Sequence, residues 1–300
     1  MAAQSDPASR PAIRDAATVM LVRDDADGGL EVFMLRRNLN SDFVGGAYVF
    51  PGGAVDPADA GPEVDALCDG RDDAACSALL DIAAGTGGLA YWVAAVRECF
   101  EEAGVLLAHT PGGEVVSFAE PEVAERFEAL RRAVYKGETR LVEICADEDL
   151  VLSTGSIHYF SHWITPEGPP RRYDTRFFVA AAPPQQIPLE DGAETVANLW
   201  VRPLEALAAH RRAELDLIFP TIRNLEAIGR FDTAADLLAH ASAIESVPAI
   251  MPRIVKDEGG GMRILIPGDA GYEEAAAAAR VPLDGAMPGR LGGPAMGAPQ

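Results

Sequence analysis

The chain has 300 residues, of which 48% are hydrophobic and 24% charged, so it can form one large domain or two smaller ones. Its 25 basic and 46 acidic residues give a formal net charge of −21. This balance excludes broad, sequence-independent binding to DNA or RNA, which needs a basic surface.

No membrane or secretion signal is visible in the sequence. No apolar run approaches the roughly 18 residues that cross a bilayer, and the first residues have no signal-peptide pattern. The four cysteines form no CxxC pair, which favours isolated thiols over a disulfide or zinc framework. We therefore expect a cytoplasmic protein with no membrane partner.

Strand signals follow an N-terminal tail at 1–15 that is rich in Ala, Ser, Pro and Asp. The aliphatic segments AATVMLVRD and LEVFMLRR are separated by DADGG, and this pattern predicts a hairpin. GAYVFPGGAVD predicts a third strand that stops at Pro51 and the following glycine pair. Residues 54–88 hold acidic and small residues with one short predicted helix, and we interpret them as an insertion.

The remainder alternates between helix and strand signals, which favours an α+β or mixed α/β layer fold. One helix is predicted to end at Gly104, and an amphipathic helix begins with the proline of PEVAERFEALRRAV. The segments VLLAH, RYDTRFFVAA and NLWV predict strands. A C-terminal helical extension is expected at 203–282, with helices at 203–211, 221–229 and 232–243, and a Pro/Gly/Ala-rich tail at 283–300. The predicted domain is therefore 16–282.

Three carboxylates crowd one face of the helix that ends at Gly104. At 100° per residue, Glu98, Glu101 and Glu102 lie within about 100° of arc, while Val96 and Phe100 lie on the opposite side. Like charges at this spacing repel, so the face is either solvated or neutralised by a ligand. Hard oxygen donors on a rigid face suit Mg²⁺ or Mn²⁺.

The run from Arg97 to Val105, RECFEEAGV, resembles the second half of the Nudix box, Gx5Ex7REUxEExGU, where U is a bulky apolar residue. Gly53 in FPGG matches the first glycine of the box, and Asp59 stands where the family has Glu. The insertion at 54–88 separates the two halves. Such a split box is similar to that of the subgroup containing the peroxisomal coenzyme A diphosphatases and their bacterial relatives. The chain is thus identified as a member of the Nudix superfamily. The resemblance implies an α/β/α sandwich with a mixed β-sheet and, here, extra C-terminal helices.

The resemblance implies a hydrolase that cleaves the pyrophosphate linkage of a nucleoside diphosphate joined to another moiety. Glu98, Glu101 and Glu102 would bind Mg²⁺ or Mn²⁺, with the carbonyl of Gly53 as a further ligand. Arg97 would hold a box carboxylate in place.

Two further acidic residues enter the catalytic hypothesis. The Glu in the first half of the box makes a stabilising contact in the family, and the resemblance assigns this role to Asp59. The general base varies across the family, so Glu101, Glu102 and Glu194, which precedes a predicted strand, all stay open as candidates.

Candidate substrate contacts come from the residues around FPGG and from one strand. The glycines Gly52 and Gly53 let backbone approach a ligand. LRRNLNSDFVGGAYVFPGG resembles a coenzyme A signature: Arg37 and Gly46 match it, whereas Asn38 and Asp42 depart from it.

In the predicted strand RRYDTRFFV, Arg172, Asp174 and Arg176 share one face. These three side chains form a row of salt bridges, or else the two arginines line the diphosphate site and bind phosphate oxygens.

Several functions stay open at this stage. The expected partner is a small-molecule diphosphate, with coenzyme A or its acyl derivatives as one candidate. NAD(H), ADP-ribose and nucleotide sugars are the alternatives. A non-catalytic Nudix-fold module that senses a nucleotide is a further possibility, although the presence of all three box glutamates favours an enzyme. Dimers are common in the family, and a homodimer is left open.

Overall fold

A computed structural model describes residues 12–39, 45–169, 171–188, 195–256 and 261–277 of the chain. The strands in these ranges are, in chain order, β1 (Ile13–Asp24), β2 (Leu30–Arg37), β3 (Tyr48–Val49), β4 (Gly52–Ala54), β5 (Ala108–His109), β6 (Val151–Leu152), β7 (His158–Ile164), β8 (Arg172–Ala181), β9 (Thr195–Val201), β10 (Ala249–Ile250), β11 (Arg253–Lys256) and β12 (Met262–Leu265).

The helices of the described ranges include the three that the sequence predicts after residue 203. In chain order they are α1 (Pro62–Asp65), α2 (Asp73–Leu79), α3 (Leu89–Ala103), α4 (Pro121–Tyr135), α5 (Leu141–Asp147), α6 (Pro203–Arg211), α7 (Phe219–Ile228), α8 (Ala234–Ser242) and α9 (Tyr272–Ala277). Short 3-10 turns lie at Pro57–Asp59 and Thr154–Ser156. No helix of the described ranges is long and apolar enough to cross a membrane.

The central sheet is mixed, as expected. Its strands run in the order β10-β7-β8-β1-β2-β3, with β4 also paired to β1 and β9 to β2. β1 and β8 are parallel over their length, whereas β2 and β4 pair antiparallel with β1. The predicted hairpin is formed by β1 and β2. The predicted third strand is divided into β3 and β4 at the proline of FPGG, because proline cannot donate to a strand ladder.

Helices cover both faces of the sheet, and this arrangement follows from the alternation of side chains along the strands. In β1, Val19 and Leu21 join a core with α3 and α4, whereas Met20 and Val22 join a second core with α6, α7 and α8. Trp92 of α3 is fully buried in the first core. Burying such a side chain contributes roughly 1.5–3 kcal/mol. The predicted α/β/α sandwich is confirmed.

Local differences from the sequence predictions have simple causes. β1 begins at Ile13, within the predicted tail, because its first residues pair with β8. In the predicted strand VLLAH only Ala108 and His109 pair with another strand, while the preceding apolar residues are buried in the first core. The extension after α8 also contains the β11–β12 hairpin, so it is not entirely helical.

Candidate active site

The carboxylate helix α3 ends where the sequence predicts. Gly104 caps it with φ +67°, in the left-handed region that favours glycine. A Cβ at Gly104 would also lie 2.8 Å from a guanidinium nitrogen of Arg131. The buried Arg131, from α4, donates through Nε to the carbonyl oxygen of Glu101 at 3.1 Å. A cation, which also pairs with Glu128 at 3.2 Å, therefore lies at the negative end of the helix dipole.

Arg97 is the centre of an ion-pair cluster. Its Nε and Nη2 donate to the two carboxylate oxygens of Asp59 at 2.8 and 3.0 Å. Its Nη1 donates to Glu98 at 2.9 Å and to Glu101 at 3.1 Å, and Nη2 also donates to the carbonyl of Ala54 at 2.8 Å. This fork fixes the position of two box carboxylates relative to the strand β4.

Asp59, which stands where the box pattern has Glu, contacts Arg97 with both carboxylate oxygens. It ends the 3-10 turn Pro57–Asp59, is 2% exposed, and accepts a hydrogen bond from the amide of Asp56 at 2.8 Å. The turn brings the backbone close to α3, so that the shorter side chain reaches Arg97 with both oxygens.

The glycine pair of FPGG lies against the carboxylates. The amide of Gly52 donates to Glu102 at 2.9 Å. A Cβ at Gly52 would lie 2.5 Å from the carbonyl oxygen of Ala17 in β1. A Cβ at Gly53 would lie 2.4 Å from Oε1 of Glu98, so the carboxylate occupies the space that any other residue would fill.

The electrostatics of the cluster favour a bound cation. Burial raises the pKa of Glu98 from 4.5 to about 7; Arg97 opposes this rise and the charge on Glu101 adds to it. Burial disfavours the charged form of Arg97, but its hydrogen bond to Asp59 and the neighbouring carboxylates outweigh this effect and raise its pKa. One guanidinium thus faces more negative charge than it neutralises.

The donor chemistry fits a hard divalent cation, because the available ligands are carboxylate oxygens and backbone carbonyls. In the described ranges, however, no group of three or more His, Cys, Asp and Glu side chains is arranged to hold a metal ion. The contacts above account for this: Arg97 holds Glu98 and Glu101, and the amide of Gly52 holds Glu102.

A cavity of about 660 Å³ opens beside the cluster and brings most of the expected residues together. Glu98, Glu101, Glu102, Gly52, Gly53 and Arg37 all line it. The Nε of Arg37 is buried and has no hydrogen-bond partner. Within the described part of the chain, most other lining residues come from β1, β3, β4, β7, β8, the end of α4, the start of α7 and the C-terminal hairpin, and a few come from the adjoining loops. They include Thr18, Phe50, Tyr135, Trp163, Arg171, Tyr173, Thr175, Phe219, Ile254 and Ile264.

The structure does not bring Arg172 and Arg176 to this cavity. Both are buried on the other face of β8: Arg172 donates to the carbonyl of Thr165 at 3.1 Å, and Arg176 pairs with Asp174 and lies over the ring of Tyr91. Of the salt-bridge row considered from the sequence, the structure shows the Arg176–Asp174 pair, whereas Arg172 bonds to a backbone carbonyl. The residues of β8 that line the cavity are Tyr173, Thr175 and Phe177, which the alternation places on the face opposite to these two arginines.

The candidate base Glu194, and Asp42, which departs from the coenzyme A signature, lie outside the described residues. Two arginines close to the site were not identified from the sequence. Arg171 precedes β8 and lines the cavity, and only its position beside the alternating strand could have suggested it. Arg131 looks like any cation on an amphipathic helix, and its contact with the end of α3 is tertiary.

Comparison with known proteins gives consistent matches. Residues 81–228 match the family model described as the NUDT19 Nudix domain. The chain is 30% identical over 288 residues to the acyl-coenzyme A diphosphatase NUDT19 of Homo sapiens, covering 82% of this chain and 73% of that protein. The corresponding protein of Gallus gallus is 29% identical over 280 residues, covering 81% and 73%.

A solved structure shares the fold. The crystal structure of a Nudix hydrolase from Alicyclobacillus acidocaldarius superposes with a TM-score of 0.65 at 28% sequence identity. The match covers 80% of this chain and 100% of the other.

Proposed function

The chain belongs to the Nudix hydrolase family, and we propose that it uses Mg²⁺ or Mn²⁺ to hydrolyse the diphosphate bridge of coenzyme A thioesters. The observation that carries this proposal is the cavity wall on which three box carboxylates, the Gly52–Gly53 pair and Arg37 meet. The substrate class is supported by the similarity to the human and chicken relatives, both of which are named acyl-coenzyme A diphosphatases.

Glu98, Glu101 and Glu102 would hold the cation, with the carbonyl of Gly53 as a further ligand. A bound divalent cation neutralises the diphosphate and lowers the pKa of a water molecule, so that hydroxide is available at neutral pH. The raised pKa of Glu98 supports this assignment, because a carboxylate that is costly to ionise alone is stabilised in its charged form by a cation.

The chain's own residues position the reactants. Arg97 keeps Glu98 and Glu101 directed to one side of α3, and Asp59 keeps Arg97 in place. Arg37, with its unpartnered Nε, donates to phosphate oxygens, for which the planar guanidinium is suited. The proton of the attacking water passes to a carboxylate oxygen of Glu101 or Glu102, or to Glu194.

The reaction balances as a hydrolysis. The water oxygen bonds to one phosphorus of the bridge, and the bond from that phosphorus to the bridging oxygen breaks. The other phosphate leaves with the bridging oxygen. From a coenzyme A thioester the products are the acylated 4′-phosphopantetheine and adenosine 3′,5′-bisphosphate.

A substrate panel tests the proposal. Purified protein with Mg²⁺ or Mn²⁺ is incubated with coenzyme A, its acetyl and octanoyl thioesters, ADP-ribose, NADH and a nucleotide sugar, and products are separated by chromatography. We expect the coenzyme A compounds to have the highest kcat/KM, with Glu101→Gln inactive and the exposed Glu122→Gln on α4 as active as the wild type. Preferred cleavage of ADP-ribose, NADH or a nucleotide sugar, or full activity of Glu101→Gln, would contradict the proposal.

A further inference from the structure

The floor of the cavity is a strip of sheet that leads away from the carboxylates. On the face shared with the second core, Ala54 of β4 pairs with Ala16 of β1, Ala16 with Thr175 of β8, and Thr175 with Trp163 of β7. Adjacent strands are about 4.8 Å apart, so the three spacings from β4 to β7 span roughly 14 Å. The strip begins beside the Gly53–Glu98 contact and ends at an indole ring.

The roof of this strip comes from the C-terminal extension. The start of α7 contributes Phe219, whose ring meets that of Trp163 edge to face at 5.9 Å between centroids. The hairpin contributes Ile254 and Ile264. We refer to the space between this floor and roof, from Ala54 to Trp163, as the trough.

The trough has an uncharged lining with a few hydroxyl groups. Among the described residues that line the whole cavity, the charged ones are the three box glutamates, Arg37 and Arg171. The polar groups along the floor and roof are mainly hydroxyls of threonine, at Thr18, Thr175 and Thr221. A group that carries phosphate or carboxylate would therefore lose its hydration there without gaining a partner, whereas an amide could exchange hydrogen bonds with a hydroxyl.

We propose that the trough binds the pantetheine arm of coenzyme A and ends at its thioester, so that the adenosine 3′-phosphate lies on the other side of the carboxylates. This inference rests on the proposed function. The arm is an uncharged chain with two amides and a hydroxyl. A chain of about thirteen bonds, extended like a peptide, spans on the order of 15 Å. Its length thus matches the distance from β4 to β7.

Obstruction of the floor tests the assignment. Thr175 lies midway along the strip and is partly exposed, so Thr175→Phe places a phenyl ring in the trough. Val196→Phe, at an exposed position of β9 that does not line the cavity, is the matched control. Phenylalanine is a favourable strand residue at both positions. Calorimetry is used to measure the binding of the two products of coenzyme A, 4′-phosphopantetheine and adenosine 3′,5′-bisphosphate, to each protein in the presence of Mg²⁺.

We expect Thr175→Phe to weaken binding of 4′-phosphopantetheine about tenfold or more, while its affinity for the bisphosphate stays within about threefold of the wild-type value. Val196→Phe should bind both products within about threefold of the wild-type affinity. Unchanged binding of 4′-phosphopantetheine, its absence in the wild type, or a selective loss of the bisphosphate would overturn the assignment. If the wild-type protein cleaves coenzyme A thioesters but the binding results contradict the trough assignment, the proposed function still stands. If the binding results agree with the trough assignment but the wild-type protein does not cleave coenzyme A thioesters, the proposed function alone is refuted.

A variant of the roof provides an independent test that does not depend on the folding of Thr175→Phe. Ile264 is partly exposed in β12, so Ile264→Glu should be tolerated, and Ile264→Leu is its control. The hairpin follows β10, whose Ile250 pairs with Trp163, so it lies near the end of the trough to which the thioester is assigned. A carboxylate at Ile264 should therefore lower kcat/KM for octanoyl-coenzyme A more than for coenzyme A itself. Equal effects on the two substrates would contradict the predicted direction of the arm.

Discussion

Replacing Gly53 with alanine should inactivate the enzyme while leaving its fold intact. A Cβ at this position would lie 2.4 Å from Oε1 of Glu98, whereas ordinary contacts begin at 3.4 Å, so the carboxylate must retreat by about 1 Å. The backbone accepts alanine because Gly53 does not have a positive φ. The group that must move is the end of a flexible side chain, so the free energy of unfolding should change by less than about 1 kcal/mol.

The expected effect on catalysis is much larger. A misplacement of 1 Å in a catalytic group lowers the rate about 10²-fold, which corresponds to roughly 2.7 kcal/mol in activation free energy. Steady-state kinetics at several Mg²⁺ concentrations should show a lower kcat and a higher Mg²⁺ requirement. Thermal unfolding should stay near the wild-type midpoint.

Two comparisons separate this mechanism from a general loss of stability. Gly112→Ala is the matched control, since its Cβ would meet only Thr110 Oγ1, at 3.5 Å. In a Glu98→Gln background, Gly53→Ala should add little, because both changes act on the same carboxylate. If Gly53→Ala kept its activity within about twofold of the wild type, or if the two effects were additive, the assigned role of Glu98 would be refuted.

The remaining predictions concern the same cluster. In the absence of metal, stability should fall as pH rises from about 5 to 8: the pKa of Glu98 is raised to about 7, so the folded state holds a proton that the unfolded state has released above pH 4.5. This loss of stability is at most roughly 3 kcal/mol. Denaturant unfolding at several pH values should detect it, and saturating Mg²⁺ should remove it. A rise in stability from pH 5 to 8 would contradict the raised pKa assigned to Glu98. Asp59→Asn should lower the free energy of unfolding by about 1.5–3 kcal/mol, because it weakens the two hydrogen bonds to Arg97 while Glu98 and Glu101 still neutralise the guanidinium. An unchanged urea midpoint would show that the Asp59–Arg97 pair contributes little. Arg131→Met should lower kcat about tenfold, because it removes the guanidinium that holds the carbonyl of Glu101 at the end of α3, whereas the exposed Arg132→Met should not. Equal kinetics for the two variants would argue against a positioning role.

The sequence was most informative where local chemistry determines the structure. The helix that carries Glu98, its glycine cap and the opposed carboxylate and apolar faces follow from a 3.6-residue period and from Gly104. The β1–β2 hairpin follows from aliphatic alternation interrupted by a turn. Asp59 and Arg97 are 38 positions apart, so only the resemblance to the box could suggest that they lie close together. The 3-10 turn at Pro57–Asp59 brings the backbone near α3, which compensates for the shorter side chain of Asp59.

Features that depend on tertiary packing could not be read from the chain. Alternation in β8 shows that Arg172 and Thr175 point to opposite faces, but not which face meets the cavity, because helices cover both sides of the sheet. Arg131 is an ordinary helix residue until α4 packs against the end of α3. The β11–β12 hairpin has short strands of the sort that propensity alone identifies poorly, yet it closes the trough.

Binding of Mn²⁺ tests the central claim most directly. The electron paramagnetic resonance signal of free Mn²⁺ should fall as the wild-type protein is added, and the triple variant Glu98→Gln, Glu101→Gln, Glu102→Gln should leave it unchanged. Saturable binding that depends on these three carboxylates is the predicted result. Equal Mn²⁺ binding by both proteins, or none by the wild type even with a non-hydrolysable diphosphate analogue present, would contradict the account.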